Sequence, residues 1–261
     1  MTDPAVLKQL VEDRLEALLP ETRGFAYGEI PELQAESMRY SLLAGGKRLR
    51  PCMLLKACEI NGGEISEALD YACAMEMIHT YSLIHDDLPG MDDDCLRRGK
   101  PTNHVVFGVG QAVLAGDGLL NYAFETMLKT AINGRVSHDN ALKVIYAIAR
   151  GAGVTGMIAG QCADLYAEGR ENADEKLLSY IHAGKTAAMF IGAVQAGAHL
   201  AGADENRIYA LTCFAEDFGR LFLTGEMGTV RFGDGSRGTR ELSSRIRRKS
   251  AYLGIKGRVT E

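Results

Sequence analysis

Five aspartates fall within nine positions, Asp86, Asp87, Asp92, Asp93 and Asp94. They follow the most apolar stretch of the chain, Tyr71 to Ile84, in which Glu76 is the only acidic or basic residue apart from His79. Setting so much negative charge against an apolar helix is costly unless cations neutralise it. Hard divalent ions with oxygen ligands are the natural partners. Mg²⁺ typically takes one or two protein carboxylates and fills its shell with phosphate oxygens and water. Arg97 and Arg98 come next, and guanidinium forks suit phosphate. A solvated acidic loop with surface ion pairs is the plain alternative; it loses weight because the run caps so hydrophobic a helix. His79 stands seven residues before Asp86, on the same face two turns away, either as a core histidine or as part of the same site.

A second cluster, Gly45-Gly46-Lys47-Arg48-Leu49-Arg50-Pro51, packs three cations around two glycines. Backbone and side chains there can meet a polyanion together. A basic turn alone is ordinarily surface. Paired with an acidic metal site, it suggests two diphosphates, one held through metal and one by cations.

The elements that must carry these residues read as helices. Asp3-Pro4 is an N-cap followed by proline at the first helical position, and Val6, Leu7, Leu10, Val11, Leu15, Leu18 and Leu19 continue it as one apolar stripe. The stretch Pro20 to Gly28 breaks it. Further helices are expected from about Pro31 to Leu43, from Pro51 to before Asn61, and across Tyr71–Ile84 as a buried central element. Others are expected at Gln111–Thr130, Asn140–Cys162 as one helix, Asp174–His182, Thr186–Ala201 and Asn206–Phe222. No alternating strand pattern exceeds a few residues, so the expected class is all-α. From Leu223 glycines interrupt any helical period, and no stable helix is expected there.

The bulk numbers narrow the function classes. Apolar residues at 46% and charged residues at 24% allow a sizeable core. No uninterrupted apolar run approaches the ~18 residues that cross a bilayer, and the N-terminus lacks a signal-peptide layout. Six scattered cysteines show no zinc spacing, which suits reduced thiols in a cytoplasmic protein. Residues 1–222 carry 20 Lys and Arg against 30 Asp and Glu, a net of −10; residues 223–261 carry 9 against 4, a net of +5. A short basic tail could serve nucleic acid or a membrane surface. Phe232 and Tyr252 are its only aromatics, which ranks that reading last.

The motifs D-D-x-x-x-x-D…R-R-G-x-P-T and G-G-K-R-x-R-P, with Gly156 to Gln161 and His182-Ala183-Gly184-Lys185-Thr186, occur in one order over about residues 25–222. As an ordered set they resemble the bacterial trans-prenyl diphosphate synthases of the short-chain, farnesyl diphosphate kind. That resemblance implies an isoprenoid-synthase-type helical bundle around a central apolar cavity, usually a homodimer. It further implies Mg²⁺-dependent condensation of isopentenyl diphosphate with an allylic diphosphate, dimethylallyl or geranyl. By the same resemblance Lys47, Arg50, His79 and Arg98 bind isopentenyl diphosphate, while Asp86, Asp92 and Asp87 form the first metal motif. Arg97 contacts the allylic diphosphate, Lys185 and Thr186 face the ionising carbon and its leaving group, and Gln161 and Asp164 line the cavity. Tyr81, five residues before Asp86, and Ser82 beside it gauge product length; a bulky floor favours fifteen carbons.

After Phe222 the resemblance stops. The family continues with glutamine, a second D-D-x-x-D motif and further helices, whereas this chain reads Leu223-Thr224-Gly225-Glu226 and holds no later paired aspartates; Asp234 stands alone. A shifted reading frame or a rearrangement produces such a join. The expected organisation is therefore a prenyl-synthase-like domain over 1–222 lacking its C-terminal helices, with a non-matching, disordered tail over 223–261. An enzyme impaired by loss of half its diphosphate clamp is the leading expectation. A non-catalytic regulatory subunit that pairs with a complete synthase is the alternative.

Overall fold

A computed structural model describes residues 1–19, 24–167 and 175–226. The described residues form eleven α-helices, one π-helical turn and one hairpin of two-residue strands, an all-α fold as the periodicity implies. The described residues fall into two compact units, one drawn from Thr2–Cys52 and Leu69–Arg135, the other from Met53–Ala68 and the described residues between Val136 and Glu226.

In the first unit α1 spans Pro4–Leu18, and Asp3 caps it by accepting the Ala5 N–H at 2.7 Å. Leu7, Val11 and Leu15, four residues apart, are fully buried, each contributing on the order of 2 kcal/mol. Helix α2 (Glu32–Leu42) buries Ala35, Met38 and Leu42, packing on α6 (Val109–Asn133). Gly118 of α6 makes room there for Met38 and Gln34. Helix α3 begins at Leu49 and ends at Ile60; α4 runs from Ile65 to Asp86. Tyr71, Ala72, Cys73, Ala74, Met75, Met77 and Ile78 are all buried, so α4 is enclosed nearly all round, as its composition predicts. Strands β1 (Leu96–Arg97) and β2 (Lys100–Pro101) pair antiparallel, and α5 follows over Asn103–Phe107.

Arg14 forks onto Asp70, with Nε to Oδ1 at 2.6 Å and Nη2 to Oδ2 at 3.0 Å, and Thr130 donates to the same carboxylate. The Arg14 side chain is 39% exposed, and solvent screening limits what such a pair contributes. Asp70→Asn should therefore lower stability by only about 1 kcal/mol in chemical denaturation. A loss several times larger would mean that the fork organises α1 against α4.

In the second unit α7 (His138–Ala152), capped by Ser137, lies along α10 (Ala188–Leu200). A Cβ on Gly151 would stand 2.8 Å from the Ala188 carbonyl oxygen, and one on Gly192 would stand 2.9 Å from that of Ala147. The two backbones come this close only because both positions lack side chains. Helix α8 (Met157–Ala167) is separate from α7, which corrects the expectation of one helix over 140–162. A Cβ at Gly156 would sit 2.2 Å from the Gly151 carbonyl oxygen, so the chain turns at 153–156 through glycine. Helix α9 (Glu175–His182) joins α10 through a π-helical turn, Ala183–Ala187; two separate helices were expected. Helix α11 (Glu205–Glu226) carries Phe214 and Phe218, the latter edge-on to Phe190 at 5.0 Å. It continues through Glu226, where the glycine content from Leu223 argues for a stop; backbone bonding extends it a further turn. Of the disordered tail expected over 223–261, the first four residues are thus helical, and 227–261 lie outside the described residues. By length and composition alone His138–Ala167 and Lys176–Leu200 could each cross a bilayer, although no uninterrupted run shows it. In the fold each is broken, at 153–156 and at the π turn, and packs within the second unit.

Candidate active site

Pro89 stops α4, and the chain folds back on itself. The Asp92 N–H donates to the Asp86 carbonyl at 2.9 Å, and the Asp93 N–H to that of Leu88 at 3.2 Å. Asp93 takes a left-handed backbone with φ at 52°, which aspartate tolerates better than most residues. The loop thus returns Asp92 to the end of the helix beside Asp86. Asp86 is half-buried and Asp92 exposed.

Asp87 faces inward and is 3% exposed. Arg97 Nε donates to both its oxygens at 2.9 Å, and Nη2 reaches Oδ1 at 2.5 Å. This fork pushes the Arg97 pKa up, its hydrogen bonds to Asp87 outweighing burial. Arg97 ends β1, and Arg98 and Gly99 form the hairpin tip with φ of 54° and 76°, the positive pair that a tight two-residue turn needs. The tip sends Arg98 the other way. Its guanidinium donates to the Gly45 carbonyl and lies against Gly46, where a Cβ would meet Nη1 at 2.8 Å.

On the basic turn the three cations separate. Lys47 is exposed, Arg48 is 4% exposed, and Arg50 Nη1 stands 3.4 Å from His79 Nε2. His79 is wholly enclosed, and its pKa is driven well below the ordinary 6.5, first by burial and then by Arg50, Arg98, Arg97 and Arg48. Cationic guanidinium groups whose field bears on a buried imidazole are an arrangement that a diphosphate would relieve. The structure thus brings Arg50, His79 and Arg98 together, with Lys47 on the same turn.

Above an ordinary pKa of about 6.5 neither folded nor unfolded chain protonates this imidazole; below it only the unfolded chain does. Stability should therefore fall with falling pH, at up to about 1.4 kcal/mol per pH unit. His182 and His199 are lowered too, chiefly by burial, and act in the same direction. Urea midpoints between pH 7.5 and 5.5 should drop less in His79→Gln than in the parent. Equal drops would show that His79 takes up its proton in the folded chain.

Tyr81 is 7% exposed and stands edge-on to His85 at 5.7 Å. Ser82 uses its hydroxyl within α4, donating to the His79 carbonyl at 2.8 Å. His85 Nε2 lies 3.1 Å from the Val113 carbonyl oxygen and occupies the space a Cβ on Gly116 would fill. Sequence reasoning passed over His85 and Gly116; a glycine mid-helix opposite a histidine was the available signal. It also passed over Asn103, whose amide donates to the Ser37 carbonyl and to Ser41 Oγ, both at 2.8 Å, tying α5 to α2. Thr102 donates to the Asp94 carbonyl at 2.7 Å and closes the acidic loop.

In the second unit the π turn carries Lys185 and buried Thr186, and Lys185 Nζ pairs with Asp164 Oδ2 at 2.7 Å. Gly160 of α8 permits this: a Cβ there would lie 2.1 Å from the Lys185 backbone nitrogen. Gln161 Nε2 is buried without a hydrogen-bond partner among the described residues, an amide donor available to a ligand.

Among the described residues no three His, Cys, Asp or Glu side chains form a self-sufficient metal cage. The carboxylates of Asp86 and Asp92 fit Mg²⁺ in its usual form, with few protein oxygens and the remainder from phosphate and water. Asp87 already has both oxygens on Arg97, so a metal role for it requires that fork to exchange.

A family model described as polyprenyl synthetase matches residues 31–223. Every site residue above lies inside that stretch, which ends where the composition changes. Geranylgeranyl pyrophosphate synthase, chloroplastic, of Catharanthus roseus is 52% identical over 187 residues, 72% of this chain and 52% of that protein. Farnesyl diphosphate synthase of Geobacillus stearothermophilus is 46% identical over 215 residues, 82% of this chain and 70% of that protein. The crystal structure of an FPP/GFPP synthase from Zymomonas mobilis superposes with a TM-score of 0.84 at 32% identity, covering 97% of this chain and 92% of that one. The chain spans from about half to about 70% of the length of the curated relatives it matches.

Proposed function

Because the chain belongs to the polyprenyl synthetase family, we propose that it is a short-chain prenyltransferase that joins isopentenyl diphosphate to an allylic diphosphate. One observation carries the reading: Arg50 stands against the enclosed His79, which lies two turns before Asp86 on the helix whose end brings Asp86 and Asp92 together. Such an arrangement is built for a strongly anionic group without a long reach. Arg50, Arg98 and Lys47 bind the isopentenyl diphosphate, and His79 accepts or donates at its edge. Mg²⁺ held by Asp86 and Asp92 would supply positive charge to the allylic diphosphate. Arg97 stands by on Asp87, ready to add its own. In the second unit Lys185, Thr186 and Gln161 offer an ammonium, a hydroxyl and an amide, the groups that the family resemblance assigns to the reaction.

Relatives named for farnesyl and for geranylgeranyl products match similarly well, so product length rests on Tyr81. Its ring is buried on α4 below Asp86, supporting a stop at fifteen carbons. The exposed Val109, Val113, Leu114, Leu128 and Ile132 of α6 support a homodimer. Free thiols at all six cysteines support a reducing, cytoplasmic setting.

Residues 223–261 carry no second aspartate pair; with a clamp of Asp86 and Asp92 alone, turnover should be slow, by about a thousandfold. The test is product analysis after incubation with isopentenyl and geranyl diphosphates and Mg²⁺. A trace of fifteen-carbon product is expected. Full synthase rates would show another carboxylate acting for the missing pair, while neither product nor diphosphate binding would refute the function.

A further inference from the structure

Of the three cations on the basic turn, Arg48 takes a course unlike its neighbours. Its backbone is left-handed, φ 50°, after Gly45 at 83° and Gly46 at 146°. A non-glycine residue holds that conformation only where its surroundings enforce it. The enforcement is visible. Nη1 donates to Glu76 at 2.7 Å, Nη2 donates to the Leu42 carbonyl at 2.8 Å, and Nε lies 3.6 Å from Glu12. Arg48 is 4% and Glu76 3% exposed. One guanidinium thereby ties the turn to the end of α2, to α4 and to α1, and α1 lies outside the residues the family model matches.

Glu76 and His79 stand three residues apart on α4, adjacent on one face. Glu76 holds Arg48, and His79 meets Arg50 at 3.4 Å. The two contacts are successive rungs between the turn and the helix, so the inner rung sets where the outer one lands.

We propose that Arg48 and Glu76 are positioning residues for the diphosphate subsite: their buried ion pair holds the basic turn in register on α4, so that Arg50 is at His79 and Lys47 faces outward before any ligand arrives. The inference rests on the isopentenyl diphosphate reading of that subsite. Preorganisation of this kind appears as affinity for the ligand of that turn and not for the allylic ligand at the acidic loop.

The experiment compares the parent chain with Glu76→Gln, Arg48→Lys and the double variant Arg48→Met/Glu76→Leu. The single Glu76→Gln change leaves a buried charge without its partner and should lower the melting temperature. The double variant removes both charges and should regain most of that loss. Calorimetry should nevertheless show isopentenyl diphosphate bound to the double variant roughly tenfold to a hundredfold more weakly, the equivalent of one charge-assisted contact. Binding of a non-hydrolysable allylic analogue with Mg²⁺ should hold at the parent value. Arg48→Lys keeps the ion pair but cannot also reach the Leu42 carbonyl, and should fall between; it serves if the double variant fails to fold. Parental affinity for isopentenyl diphosphate in the double variant or in Arg48→Lys would overturn the proposal and leave the pair as a packing feature. If the parent itself does not bind isopentenyl diphosphate, the proposed function falls instead. The imidazole NMR signals of His79 then decide the pair separately: displaced in the variants if it sets the turn, unmoved if it does not.

Discussion

Asp86→Ala should abolish the Mg²⁺-dependent binding of a non-hydrolysable allylic diphosphate. The metal reading rests on the carboxylates of Asp86 and Asp92 at the end of α4, since Asp87 holds both its oxygens on Arg97. Two protein ligands with phosphate oxygens make an adequate Mg²⁺ shell; one exposed Asp92 does not. The change also removes a contact realised more fully as the leaving group gains charge, so residual condensation should drop about a hundredfold to a thousandfold. Calorimetry with and without Mg²⁺ checks the first part. The metal-dependent heat should vanish in the variant while isopentenyl diphosphate binds as before. Surviving metal dependence would place the ion on other oxygens, with Asp93 or Asp94 the first to examine.

Arg50→Ala should do the converse. Arg50 is the guanidinium in contact with His79, part-buried and aimed into the cationic cluster, and truncating one member of a desolvated charged contact costs about 2 to 5 kcal/mol. Isopentenyl diphosphate affinity should fall at least roughly a hundredfold, with allylic binding little changed. Lys47→Ala should cost less, since Lys47 is exposed and its attraction is screened by solvent. Equal losses at the two ligands would mean that the basic turn and the acidic loop serve a single anion.

The all-round apolar pattern of Tyr71–Ile84 made the enclosed α4 legible, and the aspartates at its end marked the acidic loop, because burial and unpaired charge leave direct traces in residue type. The break between α7 and α8 was half-legible: Gly151, Gly153 and Gly156 were visible, but the apolar period runs on past them and outweighed them. The π turn under Lys185 left no trace, since its cause is the approach of Gly160 from another helix, a tertiary fact. By residue type Lys47, Arg48 and Arg50 are one string of cations, and the resemblance gave Arg48 no role. What separates them is a left-handed φ at Arg48 and a carboxylate supplied by Glu76, 28 residues along the chain, and pair interactions of that range are not encoded locally. The Asp87–Arg97 fork escaped for the same reason.

Surface hairpins are usually where a chain absorbs insertions and deletions at little cost. The β1–β2 hairpin is exposed, yet its length is constrained from two directions. Arg97 is anchored on Asp87 and the adjacent Arg98 on the Gly45 carbonyl, so neighbouring residues are committed to opposite partners. Adding or removing one residue before the tip would exchange their facing, as any single-residue slip does in a strand. Both anchors would then be lost together, and the acidic loop and the basic turn with them. Gene-length variation should therefore be tolerated elsewhere on this surface before it is tolerated between Asp94 and Thr102.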